Sequence, residues 1–71
     1  MNVEIHFQPD DGDPQILYAV MSREEFDAIN KDVNGPNPED VCFTIPSRTK
    51  KDGPTHKWLF RASRITLREV S

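Results

Sequence analysis

The sequence predicts a small α+β fold: a curled antiparallel sheet of about five short strands with one helix, in the order β-β-α-β-β-β. Three observations carry this. Val3, Ile5 and Phe7 alternate with Glu4, His6 and Gln8, the two-residue period of a strand with one buried and one wet face. Ser22 is followed three residues on by Glu25, the spacing of a helix capping box. The closing stretch, Lys57 to Val70, is rich in strand formers, but its register is consistent only if it is broken in the middle.

The elements follow in chain order. After the first strand, Pro9-Asp10-Asp11-Gly12-Asp13-Pro14 concentrates residues that fix φ or accept positive φ, and reads as a hairpin connection. Its aspartates do not form an EF-hand loop, because the twelfth position from Asp10 is Met21, not the required Glu. Gln15 to Met21 is apolar on both alternating faces, which predicts a central second strand with one face on the helix and the other needing cover from elsewhere. The helix begins at Ser22, with Met21 and Phe26 placed as a hydrophobic staple. Phe26, Ile29 and Val33 form its apolar stripe, and Asn34-Gly35-Pro36 stops it.

A polar connector, Asn34 to Asp40, leads to a third strand in which Val41, Phe43 and Ile45 alternate with Cys42 and Thr44 and which ends at Pro46. Ser47 to His56 contains no apolar residue and reads as an exposed loop around Asp52-Gly53-Pro54. Beyond it, one unbroken strand would place Trp58 and Phe60 on the same face as Arg64 and Arg68. A break at residues 61 to 64 lets Trp58, Phe60, Ile65 and Leu67 all point inward. Trp58 and Phe60 are then core side chains and not a platform for stacked bases. A short strand, a one-turn break and a short strand resemble the close of SH3-like barrels, so the curled sheet is expected to approach a small barrel; no binding residue is carried over.

Seventy-one residues make one domain, residues 1 to 71, with a thin core drawn from 25 apolar side chains. The single Cys42 leaves no intrachain disulfide and fits a reducing compartment. The amino-terminal stretch lacks the form of a signal peptide, and the longest apolar run, Ile16 to Met21, is far short of the ~20 residues of a membrane span. A cytoplasmic protein without membrane contact is expected.

Catalysis is not expected, because Cys42, His6, His56 and the carboxylates show no spacing that pairs a nucleophile or base with an orienting partner. Cys42 reads as a small filler in the third strand, and His6 and His56 as solvated. The same three residues lie in separate segments without a close ligand pair, so no metal is expected, and three scattered glycines form no phosphate loop, so no cofactor is.

Charge is the informative property. Residues 1 to 46 carry ten acidic and two basic side chains, whereas residues 47 to 71 carry seven basic and two acidic. The net charge of −3 therefore hides a dipolar chain. Arg61, Arg64 and Arg68, with Lys50, Lys51 and Lys57, are the candidate partner- or anion-binding residues, arginine being suited to bidentate contact with carboxylate or phosphate. The expected function is that of a small non-enzymatic binding protein that occludes or sequesters a protein or ligand partner, of the kind found among phage and mobile-element inhibitors. The alternative is a nucleic-acid-binding module using the basic carboxy-terminal part. Self-association, as a homodimer, is expected because a chain this small covers only one face of its second strand.

Overall fold

The computed structural model describes residues 1 to 70. The chain runs β1 (Asn2–Phe7), β2 (Gln15–Val20), α1 (Arg23–Val33), a 3-10 turn at Pro38–Asp40, β3 (Cys42–Ser47), β4 (His56–Arg61), a second 3-10 turn at Ala62–Arg64 and β5 (Ile65–Glu69). This is the α+β order that the sequence predicts. The strands, however, form two antiparallel sheets and not one curled sheet: sheet A in the order β2-β1-β5 and sheet B pairing β3 with β4. No barrel is formed. The Ala62–Arg64 turn carries the chain from one sheet to the other without pairing β4 to β5; β2 and β3 lie against each other without pairing as strands, and the Tyr18–Arg48 bridge joins them just beyond the end of β3.

β1, and not β2, is the central strand of sheet A, pairing Ile5 with both Leu17 and Leu67. The two-residue period sends Val3, Ile5, Leu17, Ala19, Ile65 and Leu67 into the interior, where each is buried. Sheet B answers with Ile45 and Phe60, and partly with Phe43 and Trp58, while α1 adds Phe26, Ile29 and Val33. Phe60 is the centre of the aromatic packing: its ring meets Phe7 edge-on at 5.3 Å and lies parallel to Trp58 at 6.4 Å. The Trp58 indole N–H is buried with no acceptor among the described residues.

Local sequence sets each boundary. The Gln8 side-chain amide donates to the carbonyls of Pro9 and Gly12 across the β1–β2 turn, where Gly12 sits at φ 138°, a conformation L side chains rarely adopt. At the start of α1 the Glu25 amide donates to Ser22 Oγ at 3.1 Å, and the Ser22 amide donates back to the Glu25 carboxylate at 3.5 Å. The helix stops at Asn34, and Gly35 lies so close to the last turn that a Cβ there would stand 3.0 Å from the Lys31 carbonyl. The register break at the end of the chain is the Ala62–Arg64 turn, with Ala62 itself buried and both Phe60 and Ile65 inward.

Two local expectations are corrected. β3 does not end at Pro46 but continues to Ser47, which is fully buried and donates to the Ile45 carbonyl at 3.0 Å. Pro46 is tolerated because of its register. The Ala62 amide donates to the Val41 carbonyl, so the pairs bonded across the sheet are Phe60–Phe43, Trp58–Ile45 and His56–Ser47, and Pro46 falls at an intervening position where no amide is needed. Cys42 is exposed and fills nothing, because it lies on the outer face of sheet B, away from the core.

Candidate functional site

The two-residue period that buries one face of sheet A presents the other as three rows across its strands. Val20 lies beside Asn2, Tyr18 beside Glu4 and then Arg68, and Ile16 beside His6 and then Thr66. Val70 joins the first row, its amide donating to the Asn2 carbonyl at 2.9 Å. The apolar members stand in solvent: Val20 is 68% exposed, Val70 50% and Ile16 44%. Two of the polar members meet, Glu4 Oε1 lying 3.1 Å from His6 Nε2.

The loop after β3 closes over one border of this face. Arg48 exchanges two backbone hydrogen bonds of 2.8 Å with Tyr18, and Lys51 Nζ then stands 5.9 Å from the centroid of the Tyr18 ring. A shallow cavity of about 330 Å³ results, with Asn2, Tyr18, Arg48, Lys51 and Val70 on its walls. Its makeup is an aromatic ring and an aliphatic side chain under two cations, suited to an apolar anchor with a negative neighbour.

The six basic residues expected to form one patch are divided among three places. Arg68 and Lys51 belong to the outer face of sheet A, with Lys50 on the turn beside it, its carbonyl accepting from the Gly53 amide. Arg64 ends the second 3-10 turn and is ion-paired with Asp10 of the β1–β2 connection. Lys57 and Arg61 project from β4 on the outer face of sheet B, opposite Pro46 and Cys42. All six are exposed, but the fold does not gather them.

The sequence by itself does not single out Tyr18, Val20, Val70, Arg48 or Leu59. The first two had a signal, the apolar side chains on both faces of β2. Arg48 had none, because its place depends on a contact between segments thirty residues apart. Among the described residues no group of three or more His, Cys, Asp or Glu side chains is arranged to hold a metal ion, and no helix is long and apolar enough to cross a membrane. No family model, curated protein or solved structure matches the chain.

Proposed function

We propose that the chain is a small non-enzymatic binding protein that acts by covering a surface of a protein partner with the outer face of sheet A. The observation that carries this reading is the exposure of Ile16, Val20 and Val70 together on one regular face. Fully burying an aliphatic side chain of this size is worth roughly 1.5–3 kcal/mol, and the monomer leaves about half of that gain unused at Ile16 and Val70 and more at Val20. Strand pairing fixes the spacing of these anchors, and Arg68, Lys51 and Glu4 beside them supply charges for orientation. Occlusion of this kind requires shape and no bond-making chemistry. By analogy it places the chain with the small standalone inhibitors of phages and mobile elements, acting in the cytoplasm, where the exposed Cys42 thiol stays reduced.

The partner can be a second copy, since an apolar sheet face is a natural two-fold contact. Light scattering at micromolar concentration, in low and high salt, reads this directly. A dimeric mass that falls to monomer in Val20→Glu makes the copy the partner, and a monomeric mass throughout assigns the face to a different protein.

A second reading rests on Tyr18, whose ring lies beneath Lys51 and in a row with Arg68: a stacking surface with cations suits a single-stranded nucleic acid. Salt separates the two. Phosphate contacts lose affinity steeply between about 50 and 200 mM salt, whereas an apolar protein contact does not.

A further inference from the structure

β4 has one partnered edge and one free edge, and the register states what the free edge offers. His56, Trp58 and Phe60 direct their backbone groups toward β3, so Lys57, Leu59 and Arg61 direct their N–H and C=O groups outward. Among the described residues no strand pairs with that edge. β5, the corresponding edge of sheet A, differs: α1 packs against it, and Arg23 Nη2 donates to both carboxylate oxygens of Glu69.

The side chains of the same three β4 residues lie together on the outer face of sheet B, at two-residue spacing. Leu59 is 72% exposed, and neither Lys57 nor Arg61 has an ion-pair partner among the described residues. Asp10, which lines the shallow cavity shared with Leu59 and Arg61, is already paired with Arg64. A second copy of β4 does not suit this edge: antiparallel pairing centred on Leu59 would set Lys57 against Arg61 of the copy, cation against cation.

We propose that the free edge of β4 receives an extended acidic segment of a partner protein as a third strand of sheet B. The complementary pattern is an acidic, an apolar and an acidic side chain at alternate positions, set against Lys57, Leu59 and Arg61. Main-chain hydrogen bonds to the outward groups of these three residues supply attraction, and the alternate side chains supply choice. This site is separate from the outer face of sheet A and does not depend on it.

The test uses the isotope-labelled full chain and an end-blocked synthetic peptide, Thr-Glu-Thr-Val-Thr-Glu-Thr, followed by amide hydrogen exchange and chemical shift. In the free protein the amides of Lys57, Leu59 and Arg61 exchange fast while those of Trp58 and Phe60 are protected, and added peptide protects the first three. Joint replacement of Lys57→Glu and Arg61→Glu weakens the acidic peptide by about tenfold or more and reverses preference toward the same peptide with Lys in place of Glu. The proposal is overturned if the three amides stay unprotected up to about millimolar peptide. It is equally overturned if wild type binds the Lys peptide as well as the Glu peptide, or if the shifts map to Tyr18, Val20 and Val70.

Discussion

The two faces of β2 have almost the same composition and opposite fates. Leu17 and Ala19, with Met21 just beyond the strand, are buried, while Ile16 and Val20, one residue out of phase with them, stand in solvent with Tyr18 between. Composition alone therefore did not decide burial. The inner face has β3, β4 and α1 packed against it, and among the described residues no helix or strand covers the outer one. The inner residues hold the fold together, whereas the outer ones add less to it because they keep much of their surface in water.

The largest expected effect lies inside. Phe60→Ala removes the ring that joins Phe7 to Trp58 and should cost about 3–5 kcal/mol, enough to leave most of the chain unfolded in denaturant melts. A loss below about 1 kcal/mol would mean the two sheets do not share one core. Next is the helix start, which holds Phe26 over the inner face: Ser22→Ala should cost about 1 kcal/mol by removing the acceptor of the Glu25 amide. Trp58→Phe sharpens the comparison further. It keeps an aromatic ring against Phe60 and deletes a buried donor without an acceptor, so stability should change by less than about 1 kcal/mol. The smallest effect belongs to the outer face, where Val20→Thr should shift stability by no more than about 0.5 kcal/mol. A loss comparable to that of Phe60→Ala would erase the distinction between the faces.

What the sequence made legible was what local rules govern. The capping box at Ser22, the alternation in β1 and the break after Arg61 each depend on neighbours within a few residues, and each lies where expected. The division into two sheets was not legible, because it turns on β4 failing to pair with β5. The burial of Ser47 and the bridge from Arg48 to Tyr18 were hidden for the same reason, being set by a distant segment. This also explains the fate of the basic patch. Strand periodicity correctly turned Arg61 and Arg68 away from the core, but whether two outward side chains share a surface depends on which sheet each strand joins.

The claim that the outer face of sheet A is the partner-binding surface is tested most directly by comparing wild type with the double variant Val20→Glu and Val70→Glu. Both proteins would be immobilised, exposed to nuclease-treated lysate, and the retained proteins quantified by mass spectrometry, with melts run in parallel to show that both are folded. A defined protein, a second copy of the chain included, is expected to be retained by wild type and lost from the variant at equal stability. The same protein retained equally by both would contradict it.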